Sequence, residues 1–216
     1  QGLYSRLYHA QEELPEAVDL PLPPVDLRAL IERRATRRNY TDQPLTIEEL
    51  SFLLWAPQGI KSFRETYATV RTVPSAGARH AFETILLINA VEGIAPGFYR
   101  YLASLHFLVP LHLGENGAQR AAAAALNQEH VARSAVTFFW VAVVERMFWR
   151  YGERGYRYLH LDAGHVCQNL YLAAEALHCG VCAIAAFEDD KLIAVLGLDG
   201  VDQFVIYIAT VGKKKA

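Results

Sequence analysis

Residues 162–178 place the tightest constraint on the fold, because they combine helical spacing with apolar side chains on almost every face. A helix that is apolar nearly all round is buried, either in a core or in a subunit interface. The rest of the chain, or a partner, must therefore cover this helix, and Gly180 marks its predicted end. One stripe carries Ala163, Val166, Cys167, Leu170, Ala173, Ala174 and Leu177, and the opposite face carries Tyr171, Leu172 and Ala176.

Shorter segments mix helix and strand without a regular strand–helix–strand repeat, which favours an α+β fold. Pro15, Pro21, Pro23 and Pro24 make residues 1–25 an extended arm on a surface. Residues 26–216 are predicted to form a single domain. The predicted helices cover 26–36, the residues from Thr46 to just before Pro57, 117–126 and 189–196, and the predicted strands cover 84–91, 97–102, 106–113, 135–144 and 204–211.

The composition excludes several classes of function. A hydrophobic fraction of 52% with 20% charged residues is too apolar for a disordered chain. A net charge of −2 argues against a protein that binds nucleic acid through bulk charge. The apolar runs are shorter than the roughly 20 residues that span a bilayer, and no signal peptide is visible. Three cysteines make no disulfide framework, so we expect a protein of the reducing cytoplasm. The net charge and the short apolar runs predict neither a nucleic-acid partner nor a membrane partner.

Four arginines within residues 33–38 form the first candidate site. Arg34 and Arg38 would share one helix face if the first helix continued that far. Guanidinium forks bind phosphate oxygens in pairs, and the Thr36 hydroxyl can add a hydrogen bond. The alternative is that these cations only offset the dipole at a helix C-terminus.

Three further segments allow both a chemical and a structural interpretation. Residues 71–80 are rich in small side chains, which let a backbone approach a flat ligand, although an ordinary turn has the same composition. Residues 213–215 are lysines that can close over an anion or simply fray. Cys179 and Cys182 form a CxxC pair, but no second pair completes a zinc site, so we predict no metal. The sequence lacks the Walker, nucleophile-elbow and Rossmann signatures.

The order of several sequence blocks is more specific than any of them alone. The blocks are RRATRRNYTDQPLTIEELSFLLWAPQGI, RTVPSAGARHAFE, PGFYRY, RYGERGYRYLHLDAGHVCQNLYLAAEAL and CAIAAFEDDKLIAVLGLDG, followed by a strand ending in Gly-Lys. From about Ile31 onward the chain resembles the nitroreductase-like flavoproteins, and most closely their azoline dehydrogenase (SagB-type) branch. The resemblance implies a central, mainly antiparallel sheet flanked by helices. It also implies a homodimer in which the long helix packs at the interface and two FMN sites draw on both subunits.

The resemblance assigns cofactor contacts to four segments. The arginine segment after the first helix holds the flavin phosphate and ribityl chain, and the C-terminal lysines add a second basic contact. The loop within residues 71–80 comes from the partner subunit and lies against the isoalloxazine ring. The fourth segment turns its backbone amides toward ring atoms N5 and O4, where they would stabilise the reduced, anionic flavin. In that order, the residues are Arg34, Thr36 and Arg38; Lys213 and Lys214; Pro74, Ser75, Ala76, Ala78 and His80; and Ala183, Ile184, Ala185 and Ala186.

Arg150 and Tyr151 are the candidate catalytic pair. The azoline-oxidising members carry Lys-Tyr at the matching positions, and an arginine is a poor general base because it stays protonated. The expected activity is hydride transfer through flavin N5. Either NAD(P)H supplies electrons for nitroaromatic or quinone reduction, or a small or peptide (azoline) substrate is dehydrogenated. The alternative is a non-catalytic, flavin-holding scaffold in a peptide-modifying complex. His178 stands where the family usually has glycine and is interpreted as a replacement for a glycine cap.

Overall fold

The centre of the fold is a seven-stranded antiparallel sheet in the order β1-β6-β5-β4-β7-β9-β8. The computed structural model describes residues 12–16, 24–64 and 68–215. The predicted mainly antiparallel sheet flanked by helices is confirmed. Its strands are β1 (Glu12–Glu13), β4 (Phe82–Ile88), β5 (Gly97–Leu102), β6 (Phe107–Leu111), β7 (Val136–Val143), β8 (Cys179–Ile184) and β9 (Gln203–Lys213), and β2 (Ile60–Arg64) pairs separately with β3 (Ala68–Arg71).

Seven α-helices lie in the part of the chain that the structure describes. They are α1 (Leu27–Arg33), α2 (Ile47–Gln58), α3 (Gly117–Ala124), α4 (His130–Arg133), α5 (Glu145–Tyr151), α6 (Gly155–Ala176) and α7 (Asp189–Leu196). Asp26 caps α1 and Thr46 caps α2, as expected from their side chains. Pro57 lies inside the last turn of α2, so the prediction that this helix ends before Pro57 was wrong. No described helix is long and apolar enough to cross a membrane.

The first helix is shorter than its pattern indicates, which changes the interpretation of the arginine cluster. It ends at Arg33, and Arg34 already has an extended ψ of 120°. The condition under which Arg34 and Arg38 would share a helical face, a first helix that continues past Arg33, is therefore not met. The segment after α1 instead runs along β8, where Thr36 pairs in parallel with Val181 and the Arg37 N–H bonds the Val181 carbonyl at 2.8 Å.

Side chains of β7 alternate between two cores, as the two-residue period of a strand requires. Phe138 and Trp140 pack on the face covered by α2 and α6, whereas Phe139 and Val141 pack on the face covered by α3 and α7. All four are at most 1% exposed. Both faces of β7, at the centre of the sheet, are therefore covered.

The long helix α6 begins seven residues before its predicted start at Asp162 and ends two residues before its predicted end at His178. Its second half exposes only Gln168, whereas its first half exposes several residues, among them Tyr156 and Leu161, at 44% and 55%. The exposed strip also contains Arg157, His160, Gly164, His165 and Gln168. The helix is thus a core element with one uncovered side rather than one buried all round.

Close backbone approach at the β8–β9 edge requires two glycines. A Cβ on Gly212 would lie 2.7 Å from the Tyr40 ring, and one on Gly180 would lie 2.7 Å from the Arg37 side chain. The Tyr40 hydroxyl lies 2.7 Å from the Thr210 hydroxyl, and burial raises the pKa of Tyr40. These contacts hold the segment after α1 rigidly against the sheet.

The described part of the N-terminal arm adds a short strand to the edge of the sheet. Glu12 and Glu13 pair with β6, and Leu14 is only 4% exposed. The Pro15 carbonyl accepts a hydrogen bond from the Ser51 hydroxyl at 2.5 Å. Pro24 and Val25 are described and exposed, whereas residues 1–11 and 17–23, which include Pro21 and Pro23, lie outside the described residues.

Candidate functional site

Tyr171 on α6 joins two of the segments predicted to touch the flavin. Its hydroxyl accepts a hydrogen bond from the Ala183 backbone N–H at 3.0 Å and lies 3.2 Å from the Thr36 hydroxyl. Because a phenol has a proton of its own to donate, it can bond both neighbours at once. The Arg34 guanidinium lies over the same ring, 5.4 Å from its centroid. We call Arg34, Thr36, Tyr171 and residues 183–186 the strand-edge half-site.

The end of β8 supplies exposed backbone to this half-site. Ile184 is the last residue of the strand and is buried, whereas Ala185 and Ala186 follow it and are exposed. Neither of their N–H groups donates a hydrogen bond to a residue that the structure describes. The Gln128 side chain fixes the Ala186 carbonyl at 3.0 Å. Two amides with small side chains are therefore presented to solvent, where a planar ligand can approach them.

Arg38 lies on the other side of β8 from Thr36. The pKa of the Cys182 thiol is raised by burial, and the Arg38 charge and hydrogen bond oppose that rise. Cys182 packs in the core of α3 and α7, whereas Thr36 faces α6. Arg38 instead borders a cavity of about 460 Å³ that is also lined by Asn39, Tyr40, Asp42, Glu129, His130, Arg133 and Lys215.

The predicted tail contacts, Lys213 and Lys214, are paired with carboxylates. The Lys213 ammonium bonds Glu49, which also caps α2, and the Lys214 ammonium bonds Glu175. Glu175 is 6% exposed, so its charge needs such a partner. Lys215, rather than either of these lysines, is the tail residue that borders the Arg38 cavity.

A buried carboxylate on α6 shapes the loop of residues 74–80. The Ser75 hydroxyl donates to Asp162 at 2.7 Å, and the Ala76 N–H lies 3.2 Å from both carboxylate oxygens. Burial raises the pKa of Asp162, and the hydrogen bonds from Ser75 and Ala76 oppose that rise. Asp162 therefore pins the start of this loop to the long helix.

Three residues of the loop adopt left-handed backbone conformations. Gly77 has φ of +57°, Ala78 of +54° and His80 of +46°, and such values are strained for residues with a side chain. The His80 N–H bonds the Ser75 hydroxyl at 2.9 Å. Burial, and next the charges of Arg71 and Arg79, lower the pKa of His80 to about 4. The imidazole is therefore neutral at pH 7.

The candidate catalytic pair packs against this loop. A Cβ on Gly77 would lie 2.5 Å from the Tyr151 hydroxyl and 3.2 Å from the Arg150 Nε, so only glycine permits the approach. Tyr151 packs edge-on against Tyr158 at 4.7 Å between ring centroids. We call residues 74–80, Arg150, Tyr151 and Asp162 the loop half-site.

Asp162 and Tyr171 connect the two half-sites to different parts of α6. Asp162 and Tyr171 lie nine residues apart, which is about 13 Å along the axis and about half a turn around it. The helix body and the core around it separate the two groups. The two half-sites therefore lie on different sides of α6 within one protomer.

Sequence reasoning missed Asp162 and Tyr171 as site residues. A carboxylate at the head of an apolar stripe was the available signal for Asp162, because a buried charge needs partners. Tyr171 was counted as apolar, although its hydroxyl must find a partner when the ring is buried. The partners of both residues are distant in sequence, so only the fold identifies them. No group of three or more metal-binding side chains occurs among residues 12–16, 24–64 and 68–215.

Comparison with known proteins decides the family. The nitroreductase family model matches residues 30–213. The chain belongs to the nitroreductase family. Two curated relatives are a provisionally named nitroreductase of Methanocaldococcus jannaschii (MJ1384) and the trifolitoxin-processing protein TfxB of Rhizobium leguminosarum bv. trifolii. The first is 35% identical over 94% of this chain and 96% of its own length. The second is 29% identical over 60% of this chain and 36% of its own.

Solved structures of nitroreductase-family proteins share the fold. A provisionally assigned nitroreductase from Anabaena variabilis superposes with a TM-score of 0.79 at 29% identity. The match covers 95% of this chain but only 42% of the Anabaena chain. A second such protein, from Desulfovibrio desulfuricans, was solved in complex with FMN and has a TM-score of 0.61 at 17% identity, over 90% of this chain and 92% of its own.

Proposed function

We propose that this protein is an FMN-dependent oxidoreductase that works as a homodimer. Its membership of the nitroreductase family supports the reaction class. The observation that carries the proposal is the Tyr171 hydroxyl, which bonds Thr36 and Ala183 and so joins the expected ribityl–phosphate segment to the expected ring segment. A relative that shares the fold holds FMN, which agrees with this choice of flavin.

The residues at the strand edge suit FMN chemically. The exposed amides of Ala185 and Ala186 can donate to the polar edge of the ring, and their methyl groups leave room for it. Arg34 and Arg38 offer guanidinium groups to a phosphate from the two sides of β8. The His130 Nε2 atom is buried without a hydrogen-bond partner in the described chain and borders the same cavity as Arg38. A phosphate oxygen in that cavity would give this nitrogen a partner.

The separation of the half-sites along α6 supports a site shared between two protomers. In a two-fold dimer, the strand-edge half-site of one protomer faces the loop half-site of the other, and both sites are completed at once. The tail would contribute Lys215 directly, whereas Lys213 and Lys214 act through their ion pairs. Pro74, Ser75, Ala76, Ala78 and His80 then supply the second wall of the site.

FMN, when bound, accepts a hydride from one substrate and passes the electrons to another. The residues of this chain bind the substrate and transfer the protons. The Tyr151 hydroxyl lies beside Gly77 and can give or take a proton at its Oη atom. Arg150 holds a permanent positive charge next to it, which suits it to binding an anionic or carbonyl group of the substrate rather than to general base catalysis.

Two alternative reactions, which differ in the electron donor, fit this site. NAD(P)H oxidation with reduction of nitroaromatics or quinones would need only an open flavin face. Dehydrogenation of a small or peptide substrate such as an azoline is favoured by the similarity to a trifolitoxin-processing protein. The arginine at position 150, in place of the lysine of azoline-oxidising relatives, favours the first reaction.

The visible absorption spectrum of the purified protein, before and after anaerobic NADPH, tests the proposal. Bands near roughly 370 and 450 nm are those of an oxidised flavin. Bleaching by NADPH would identify a nicotinamide-dependent reductase. Bands that NADPH leaves unchanged but an azoline peptide bleaches would identify a peptide dehydrogenase, and bands that neither bleaches would favour a flavin-holding scaffold. A protein that stays colourless after incubation with FMN would refute the proposal.

A further inference from the structure

We propose that a second cavity, behind the loop of residues 74–80, binds the oxyanion of a small ligand, either a carboxylate or a phosphate. The cavity has a volume of about 380 Å³ and is bordered by β3, β4, β5, the loop and α5. The residues that define its chemistry are Gln58, Arg71, Arg79, Glu83, Arg100 and Arg146. The cavity shares residues 78–80 with the loop half-site. The inference does not rest on flavin binding, because neither Gln58 nor any of the four arginines is among the residues proposed to touch the flavin.

The described residues around the cavity carry four arginines and a single carboxylate. Glu83 takes the charges of Arg100, at 3.0 Å, and of Arg146. Arg71 and Arg79 have no carboxylate within ion-pair distance in the described ranges. The cavity therefore has an excess of positive charge, and a partly enclosed site strengthens its attraction for an anion. His80 adds none of this charge, because its imidazole is neutral at pH 7.

Hydrogen bonds to uncharged neighbours orient the Arg71 guanidinium. One of its terminal nitrogens donates to the Gln58 carbonyl at 3.3 Å and to the Gln58 side-chain oxygen at 3.2 Å. Its Nε donates to the Thr69 hydroxyl at 3.4 Å. These acceptors are all uncharged, so they orient the guanidinium without forming an ion pair with it. Glu83 attracts the Arg71 charge from beyond ion-pair distance but is already shared by Arg100 and Arg146.

Gln58 is the second, independent sign of a ligand. Its side chain is buried, with only 3% of the residue exposed. Because Arg71 can only donate, the Gln58 Oε1 must face it, which fixes the amide orientation and leaves Nε2 as a donor. This buried Nε2 has no acceptor among the residues that the structure describes. Buried donors are normally paired, and an oxyanion beside Arg71 would supply the missing acceptor.

The position of the cavity gives the bound anion a role near the reaction. Arg146 precedes Arg150 by one helical turn on α5, and Arg79 belongs to the loop half-site. A ligand held here by a carboxylate or phosphate would lie behind the loop that carries Ser75 and His80. The cavity therefore fits the charged end of a substrate, or a small anion that orders the loop.

Isothermal titration calorimetry of the purified protein, in the flavin state in which it is isolated, tests this inference at constant ionic strength in chloride. The probes are inorganic phosphate, and triglycine compared with its C-terminal amide. The substitution Gln58→Glu keeps an acceptor for Arg71 but adds a negative charge to the cavity. We expect phosphate or triglycine to bind the unsubstituted protein and to bind Q58E at least tenfold more weakly, with the same flavin content in both proteins. Arg120→Gln, which removes an exposed arginine from α3, serves as the control and should retain the affinity.

The probes separate the two sources of the anion. Binding of phosphate but not of triglycine identifies a phosphorylated ligand, and binding of triglycine but not of its amide identifies a terminal carboxylate. Arg79→Gln, at the exposed side of the cavity, provides a second variant should Q58E prove unstable to heating, and it should also weaken binding. Equal affinities in the unsubstituted protein, Q58E and R79Q, or the absence of binding by every probe, would overturn the proposal.

Discussion

At the scale of single residues, Tyr171 shows how one polar atom on an apolar ring organises a site. Its ring packs against the core of α2 and α6, and this burial is all that its sequence pattern indicates. Its hydroxyl holds Thr36 and Ala183, residues 135 and 12 positions away in the chain. The strand-edge half-site therefore depends on a long-range contact that periodicity cannot reveal.

Replacing Tyr171 with phenylalanine removes this hydroxyl and keeps the ring. We expect the FMN dissociation constant to rise about five- to tenfold, because a net hydrogen bond contributes about 1 kcal/mol. Fluorescence titration of the apoprotein with FMN measures the change. Tyr207→Phe is the control, since it removes from β9 a hydroxyl that bonds neither Thr36 nor Ala183. Equal losses in the two variants would contradict a specific role for Tyr171.

His80, in the loop half-site, makes the free energy of unfolding depend on pH. An unfolded histidine takes up a proton near pH 6.5, whereas folded His80 does so only near pH 4. Between these values the unfolded chain binds more protons, so the free energy of unfolding falls as the pH drops from 6.5 to 4.

His80→Asn should remove this part of the acid sensitivity, and asparagine tolerates the left-handed backbone at this position. We expect its free energy of unfolding to fall less steeply than that of the unsubstituted protein, by up to about 3 kcal/mol over this range. Urea denaturation at a series of pH values measures the difference. His112→Asn, at an exposed position just after β6, should leave the slope unchanged. Parallel curves for H80N and the unsubstituted protein would rule out a buried neutral histidine.

At the scale of elements, the end of α6 confirms the interpretation of His178 as the replacement for a glycine cap. Its φ is +56°, and its N–H bonds the Glu175 carbonyl at 3.2 Å. A residue with a Cβ pays about 1–2 kcal/mol for this conformation, and part of that cost is offset because glycine loses more entropy on folding.

His178→Gly should therefore raise the free energy of unfolding by about 0.5–1 kcal/mol. The matched control is His160→Gly, an exposed histidine in the interior of the same helix. There, glycine should lower the free energy of unfolding by about 1 kcal/mol. Chemical denaturation of both variants compares the two positions, and a loss of stability in H178G would show that the histidine side chain has another role.

The strongly patterned elements could be predicted from the sequence, whereas those made by context could not. The strand β5 carries three aromatic residues, and β7 carries a run of aromatic and β-branched residues, a composition typical of strands. The helix α5 has mixed residues with no apolar stripe, and β8 is a short run containing glycine and two cysteines, so both were missed. The first two turns of α6 were missed because their exposed strip interrupts the apolar pattern.

At the scale of the whole molecule, the arrangement of the half-sites is the part that the sequence could not reveal. The family resemblance indicated the segments that form each group, though not Asp162 or Tyr171, and the separation of the groups follows from the length and twist of α6. The resemblance also did not predict that Lys213 and Lys214 would form ion pairs with carboxylates. Ion pairs of this kind depend on which elements the fold brings together, and spacing along the chain does not encode them.

Exposed apolar side chains indicate which surface would meet the second protomer of the proposed dimer. Monomeric proteins rarely leave large apolar side chains clustered on their surface. In the described residues, six such side chains belong to three neighbouring helices, α1, α5 and α6, and they are Leu27, Ile31, Phe148, Trp149, Tyr156 and Leu161. The helices α1 and α5 both contact α6, so their exposed residues can form one continuous interface beside the half-sites.

Leu161→Glu places a charge on this surface, where Leu161 is 55% exposed, and should abolish dimer formation. Because each FMN site is proposed to need both protomers, the variant should also retain less than about a tenth of the flavin, as a bound partner and ligand stabilise each other by mass action. Size-exclusion chromatography with light scattering, read together with flavin absorbance, measures both properties. Val201→Glu, at a position that is 74% exposed before β9, should leave them unchanged. A monomeric L161E protein that keeps its flavin would show that one protomer holds the cofactor by itself.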